Sequence, residues 1–256
     1  MIKFFRKIRQ KLLSENKVSK YLIYAIGEVI LVVIGILIAL QINNWNQKNI
    51  DRDYELTMLQ EVNVALEKDI SGIESQLEYL EKVKQSARKL AIIQNEPLYP
   101  EDSLYYHFEV VRKGGIGFSI NSSPYESLKS SGLDKVSNPE LRNNISYLYE
   151  IRLSGIDFWI NDFILKRLEK KSDLINEMFE KKVVPDSIKG INIEYLVDYN
   201  SIYKNPKTSD FLAVSGGYIA MANRRLNQAL DYMKVIEEQI ENELKKCRVG
   251  KGESRP

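Results

Sequence analysis

One unbroken apolar run stands near the start of the chain. Residues 22–42 read LIYAIGEVILVVIGILIALQI, and Glu28 is the one charged residue among these twenty-one. As an α-helix this run is about 31 Å long, close to the hydrocarbon thickness of a bilayer. A cleaved signal peptide has a shorter apolar stretch before a small-x-small site, and residues 41–45, QINNW, contain no such site. The pattern predicts an uncleaved transmembrane helix over residues 21–43.

The charges on the two sides of this run differ. Residues 1–20 contain seven lysines and arginines and one acidic residue, whereas residues 43–62 contain two basic and four acidic residues. Because lysine and arginine accumulate on the cytoplasmic side of membrane proteins, residues 1–20 are predicted to be a basic cytoplasmic head. The head either lies as an amphipathic helix on anionic lipid or serves only to orient the chain. Everything after the run is predicted to lie outside the cytoplasm.

Beyond the run the apolar positions have helical spacing. From Tyr54 to Gln94 they recur every three or four residues, which is typical of a helix, or of a coiled coil, that buries one stripe. Shorter helices are predicted over 103–113 and 124–131. A long helix is predicted from residue 139 to before Pro185, and a last one from Thr208. The buried stripe of the long helix is expected to consist of Leu141, Ile145, Leu148, Ile156, Ile160, Phe163, Ile164 and Leu168.

Local signals mark where these helices start and stop. Ser123-Pro124-Tyr125-Glu126 has the pattern of a capping box, and the segment 137–140 repeats it. Gly132 is predicted to end the helix over 124–131, and Gly155 to kink or break the long helix. Residues 184–209 form the least regular stretch, and strands are nearly absent from the pattern.

These elements predict a mainly α fold. One transmembrane helix is followed by an antiparallel helical bundle over residues 44–247, built from three long helices and several short ones. Residues 248–256 are expected to form a disordered tail. If the helix after the membrane is unbroken, it continues directly from the transmembrane helix.

Composition excludes several classes of function. One histidine and one cysteine, His107 and Cys247, do not make up the usual ligand set of a zinc or iron site, and one cysteine cannot form an intramolecular disulfide. A net charge of +2 and scattered basic residues give no basis for nucleic-acid binding. The glycines at 114, 115 and 117 follow a helix and lack the pattern of a phosphate loop. No catalytic motif is present, so we predict a non-enzymatic protein without metal or cofactor.

Glu28 is the exceptional residue of the apolar run, because an ionisable group within a bilayer costs about 2.5–3.5 kcal/mol. It either pairs with a cation on a partner helix, or carries protons in an ion-coupled complex, or is neutralised locally by protonation or by Tyr24. Gly35 and Ala39 form a small-x-x-x-small pair that permits close helix approach. We therefore predict contact with another membrane protein, or with a second copy, through Glu28, Gly35 and Ala39.

Aromatic residues gather around the segment between the second and third predicted helices. Loops on rigid scaffolds often carry function, so Phe118, Tyr125, Glu126 and Lys129 are the candidate partner-binding loop. The alternative is that these aromatic side chains pack the loop onto the helices.

Two segments carry a resemblance to a known family. Residues 4–46, FFRKIRQKLLSENKVSKYLIYAIGEVILVVIGILIALQINNWN, and residues 122–150, SSPYESLKSSGLDKVSNPELRNNISYLYE, are similar to two recurring blocks of a family of single-pass envelope proteins from diderm bacteria. That family is a domain of unknown function. The resemblance implies an inner-membrane protein with a periplasmic domain, and it implies no activity.

The predicted function is that of a scaffold or sensor. Its periplasmic helical domain would bind a partner or ligand while the transmembrane helix contacts the bilayer and another membrane protein. The alternative is a subunit of an ion-coupled or transport complex that uses Glu28 within the membrane.

Overall fold

The structure is a computed structural model that describes residues 18–95, 101–188 and 190–252. It divides into two compact units, Met1–Glu55 and Leu56–Pro256, and the second is called the helical domain below. The predicted boundary after residue 43 stays a prediction. Most of the predicted cytoplasmic head, residues 1–17, lies outside the described residues.

Helix α1, Val18–Asn95, begins in the first unit. In the apolar run the large aliphatic side chains of this helix are 46–70% exposed, whereas a core helix of a soluble domain would bury them. Among the described residues, this helix is the one that is long and apolar enough to cross a membrane. The predicted apolar N-terminal helix is therefore confirmed, and it is compatible with a membrane anchor.

The helical domain contains the remainder of α1 and a series of further elements. In chain order they are α2 (Glu101–Lys113), α3 (Ser123–Ser131), a 3₁₀ turn (Leu133–Lys135), α4 (Pro139–Tyr147), a first π segment (Leu148–Leu153), α5 (Ser154–Trp159), a second π segment (Ile160–Ile164), α6 (Leu165–Met178), β1 (Glu180–Asp186), β2 (Gly190–Leu196), α7 (Tyr199–Tyr203) and α8 (Thr208–Gly252). The predicted mainly helical class is confirmed.

The helix starts are partly as predicted. Asn138 caps α4, because its side-chain oxygen accepts the backbone N–H groups of Glu140 and Leu141. The capping box expected at Ser123 is wrong: α3 begins at Ser123, and Ser122 at its N-cap makes no side-chain capping bond. Gly132 ends α3 as expected, with a φ of 105° that suits glycine.

The chain remains helical from Pro139 to Met178, so a break at Gly155 is wrong, while a kink there stays a prediction. Buried side chains recur here at intervals of four: Ile156, Ile160 and Ile164. In an α-helix an interval of four residues overshoots one turn by about 40°, and repeated intervals would carry the stripe away from the core. The wider π turns offset this drift, so the stripe stays buried across both π segments.

Helices α1 and α8 run in opposite directions. Gln94 Nε2 lies 2.7 Å from Ser209 Oγ, and Lys234 Nζ lies 2.6 Å from Glu74 Oε1. Apolar side chains from α1, α8 and the helical stretch 139–164 form the main core, which also buries Tyr125. A second, smaller core surrounds Phe108 at one end of the domain.

Two features of the C-terminal half differ from the sequence analysis. Strands β1 and β2 pair as an antiparallel hairpin, in a stretch where strands were not expected. Pro185 and the charged residues around it hide the alternation that normally reveals a strand. Helix α8 continues to Gly252, so residues 248–252, expected in a disordered tail, are helical.

Lys171 of α6 closes the end of α2. The residue is 3% exposed, and its ammonium group donates to the carbonyl oxygens of Val111, Arg112 and Gly114. Val111 and Arg112 belong to the last turn of α2, whose carbonyls have no acceptor role within the helix, and Gly114 follows it. Burial, with a contribution from the Arg112 charge, lowers the pKa of Lys171 to about 8.

Between about pH 8 and about pH 10, the free energy of unfolding of the wild-type domain is therefore expected to rise relative to that of the Lys171→Met variant. In this interval the unfolded chain, with an ordinary lysine pKa, binds a proton that the folded domain has released, so raising the pH favours folding. The full interval corresponds to about 3 kcal/mol. Urea unfolding of both proteins across the interval measures the difference, and equal slopes against pH would contradict it.

Candidate partner-binding face

An exposed apolar strip follows the outer side of the helical stretch that contains both π segments. Tyr147, Ile151, Phe158 and Phe163 are between 42% and 57% exposed, and Trp159 is half-buried beside them. These five residues are called the aromatic face. Contiguous exposed apolar side chains on a soluble domain mark interaction sites more often than isolated ones do.

The core explains why these side chains point outward. Leu148, Leu153 and Ile160 are among the residues buried on the inner side of the same stretch, and the five residues of the aromatic face lie on its outer side. The described residues of the domain cover the side chains of the aromatic face less than they cover those of the inner side. The aromatic face is thus held on a packed helix rather than on a loop.

At one end of the face, Arg152 lies between two tyrosines. Its guanidinium carbon is 4.7 Å from the ring centroid of Tyr147 and 4.5 Å from that of Tyr232 on α8. Cation–π contact with two rings restricts the position of the guanidinium group. Within the described residues the buried Nε of Arg152 has no hydrogen-bond acceptor.

A cavity of about 190 Å³ opens beside Arg152. It is bounded by side chains of α4, the first π segment and α8, namely Asn144, Tyr147, Leu148, Arg152, Tyr232, Val235 and Ile236. Its volume is smaller than that of most cofactor or drug-sized pockets, which measure about 300–1,000 Å³.

A second arginine–aromatic stack lies at the other end of the face. The guanidinium carbon of Arg225 is 4.2 Å from the ring centroid of Trp159, whose ring is 4.3 Å from that of Phe163. Unlike Arg152 Nε, Arg225 Nη1 has an acceptor, since it donates to Gln228 Oε1 at 3.0 Å. The domain therefore supplies an acceptor for Arg225 Nη1, but its described residues supply none for Arg152 Nε.

Tyr125 and Lys129 of the predicted partner-binding loop lie together, and the contacts around them pack the loop onto the domain. Tyr125 is buried, its ring is stacked on Tyr149 at a centroid distance of 4.6 Å, and its hydroxyl donates to Glu150 at 2.7 Å. Lys129 Nζ lies 2.8 Å from the same carboxylate and lowers the pKa of Glu150. Burial and the Glu150 charge raise the pKa of Tyr125 to about 12.

Two further members of that loop prediction are placed differently. Phe118 is half-buried and packs against the main core, whereas Glu126 is exposed. Direct contact with a partner therefore remains a prediction for Glu126 and Lys129, while Tyr125 can act only by holding the segment in place.

The predicted membrane-contact residues lie on the exposed part of α1. Glu28 is half-exposed and Ala39 is exposed. A side chain built at Gly35 would meet no atom of the described chain within 4 Å. The prediction that these residues contact a second helix stays open.

The hairpin carries a further exposed apolar surface. Val183 and Ile193 face each other across the strands, and Val183, Ile191 and Ile193 are 45–63% exposed. At its base Tyr195 Oη lies 3.2 Å from Asn176 Oδ1, which connects the hairpin to α6.

No metal site was predicted, and His107 Nδ1 lies 3.1 Å from Ser86 Oγ. Across the described residues no group of three or more histidine, cysteine, aspartate or glutamate side chains is arranged to hold a metal ion.

Comparison with known proteins gives a match to a family model over part of the chain. Residues 28–154 match the model of a family of unknown function, DUF6090. The DUF6090 match begins at Glu28 in the apolar run and ends just after the first π segment, so it includes Tyr147, Ile151 and Arg152 but not Trp159 or Phe163. No curated protein and no solved structure matches the chain. The similarity to DUF6090 agrees with the expectation of a family without a known activity.

Sequence reasoning missed the aromatic face as a site. Phe163, predicted to belong to the buried stripe of the long helix, is 42% exposed. In the second π segment Ile160 and Ile164 occupy the inner side, and the wider turn directs Phe163 outward. A signal was nevertheless present, because Ile151 and Phe158 are apolar residues that fit no helical stripe facing the core.

Proposed function

We propose that this chain is a non-enzymatic, single-pass inner-membrane protein whose periplasmic helical bundle binds a protein partner through the aromatic face. The observation that carries the proposal is the exposure of this face on a packed helix. The apolar run of α1 supports the membrane anchor, and the excess of basic residues before it supports a cytoplasmic N-terminus.

The composition of the face favours a protein partner over a small molecule. Tyrosine, tryptophan and arginine are the residues that most often dominate binding energy at protein interfaces, and here they stand together on one helix and its neighbour α8. The face is a strip rather than a deep pocket, and the cavity beside Arg152 is small. A helix or extended segment of another protein suits this shape.

Photo-crosslinking in cells tests this proposal. A photoreactive amino acid at Ile151 or Phe158 is expected to give an adduct of one defined mass in the membrane fraction, because both side chains are exposed at the face. The matched control is the same amino acid at Lys82, an exposed position on α1 that carries a charged side chain. Absence of an adduct at both face positions, or equal adducts at Lys82, would overturn the proposal.

A second candidate function rests on Glu28, the one charged residue of the apolar run. In this alternative the chain is a subunit of an ion-coupled or transport complex, and Glu28 carries protons within the membrane. If Glu28 contacts a partner helix, neutralising it weakens assembly with that partner. If Glu28 carries protons, neutralising it stops the coupled process and leaves the complex assembled.

Glu28→Gln is expected to reduce recovery of a membrane partner in mild detergent by about tenfold, the effect of losing one charge-assisted hydrogen bond. Quantitative mass spectrometry of proteins that co-purify with tagged wild type and variant measures it. Glu61→Gln, which neutralises an exposed carboxylate outside the apolar run, serves as the control. If Glu28→Gln retains the partner while the process that the complex serves stops, the ion-coupled alternative is favoured instead.

A further inference from the structure

We infer that Arg152 anchors a carboxylate-binding cleft, which takes an aspartate or glutamate side chain of the partner segment beside a large apolar side chain. This inference rests on the proposed function and specifies the chemistry of its partner. The cleft consists of Arg152, Tyr147 and Tyr232 together with the adjoining cavity.

The first argument is the geometry of the guanidinium group. Tyr147 and Tyr232 lie 4.7 Å and 4.5 Å from its carbon, and these two contacts restrict the directions in which Arg152 can bind a further group. A group held in this way presents the edge of its plane, where its N–H donors lie. The edge of a guanidinium matches the two oxygens of a carboxylate.

The second argument is the unsatisfied donor. Nε of Arg152 is buried and has no acceptor in the described chain, and burying a donor of a charged group without an acceptor is costly. Glu150 already accepts from Tyr125 and Lys129, and the side chain of Asn144 is directed to Gln239, whose Oε1 accepts from Asn144 Nδ2. Arg152 as a whole is only half-buried, and a carboxylate bound in the cavity that it lines would offset the cost of holding this charge there.

The third argument concerns the class of anion. Arg152 is the one cationic residue among those that line the cavity, so it balances a single negative charge and not a phosphate dianion. The floor and rim are apolar, with Leu148 and Ile236 buried and Val235 54% exposed. A carboxylate next to an apolar side chain matches this pairing of one cation with apolar surroundings.

The experiment uses the full chain in lipid nanodiscs and a phage-displayed library of random peptides. Selected peptides are compared with copies in which each aspartate or glutamate is changed to asparagine or glutamine. Affinities are measured for wild type, for Arg152→Gln, and for Arg88→Gln, which removes the positive charge of an exposed arginine on α1 outside the aromatic face. Circular dichroism and thermal unfolding check that each variant is folded.

We expect selected peptides to contain a carboxylate flanked by large apolar residues. Removing that carboxylate and changing Arg152 to glutamine should each weaken binding by about 10- to 100-fold, as for a hydrogen bond between charged groups. The two changes together should weaken it little further, because they remove the same contact. Arg88→Gln should alter the affinity by less than about threefold.

The other outcomes separate this inference from the proposed function. If peptides bind, lose affinity with Ile151→Asp, and yet bind Arg152→Gln as well as wild type, the cleft is wrong and the aromatic face stands. If the peptide without its carboxylate binds equally well, the inferred chemistry is likewise overturned. If no selected peptide is sensitive to Ile151→Asp or to Arg152→Gln, both the cleft and the face are overturned. If free acetate displaced a bound peptide as strongly as unlabelled peptide does, the cleft would be a site for small carboxylates. That result would also overturn the inference.

Discussion

Replacing Tyr125 by alanine is expected to lower the free energy of unfolding of the helical domain by about 3–5 kcal/mol, the range for truncating a buried large aromatic residue. Tyr125 is 1% exposed, and its ring is parallel to that of Tyr149 within 3°. Alanine would leave a cavity in the main core and remove the stacked ring. It would also remove the donor to Glu150.

Denaturant unfolding followed by circular dichroism measures this effect, and two variants make it specific. Tyr106→Ala, at a position that is 62% exposed, should change stability by less than about 0.5 kcal/mol. Tyr125→Phe keeps the ring and loses the hydroxyl, and it should cost about 1 kcal/mol. If Tyr125→Ala were no more harmful than Tyr106→Ala, the segment around α3 would not be packed as described.

Gly114→Ala is expected to destabilise the domain by about 1–3 kcal/mol or more, as overpacking of a filled core does. A Cβ atom at this position would lie 2.5 Å from Tyr218 Oη and 2.7 Å from Val83 Cγ1. Both neighbouring side chains are fully buried, so neither can move aside freely. The backbone carbonyl of Gly114 also accepts from the buried Lys171, which limits movement of the main chain.

The neighbouring glycine provides the matched control for this prediction. A Cβ atom at Gly115 would meet Lys113 O at 4.0 Å and nothing nearer. Gly115→Ala should therefore change the unfolding free energy by less than about 0.5 kcal/mol. Thermal unfolding of the two variants beside wild type measures the difference, and equal effects would show that the packing around Gly114 is looser than described.

The helices were largely predictable because their signals are local. The spacing of apolar residues in α1, and the Asn138-Pro139 start of α4, depend on a few adjacent positions whose preferences do not require knowledge of the fold. Where two local signals competed, the prediction was wrong. Ser123 resembles a capping residue, yet α3 begins with Ser123 itself, and Gly155 continues a helix because packing on both sides compensates for its low helix propensity.

The candidate site was less predictable, because it depends on which residues of distant segments meet. Arg152 and Tyr232 are far apart in the sequence, and their stacking arises from the packing of the first π segment against α8. The same packing decides that Tyr125 is a core residue rather than an exposed aromatic of a loop. No pattern within either segment indicates these contacts.

The amino-acid sequence by itself determined the apolar helix near the N-terminus and the mainly helical class, since both follow from local hydrophobicity and its period along the chain. Only the tertiary structure decided that the long helix contains two π segments, that Phe163 is exposed, and that Arg152 Nε finds no acceptor among the described residues. These features depend on how the inner side of one helix fits its neighbours. Such a fit is a property of contacts between segments, and the order of residues in one segment does not contain it.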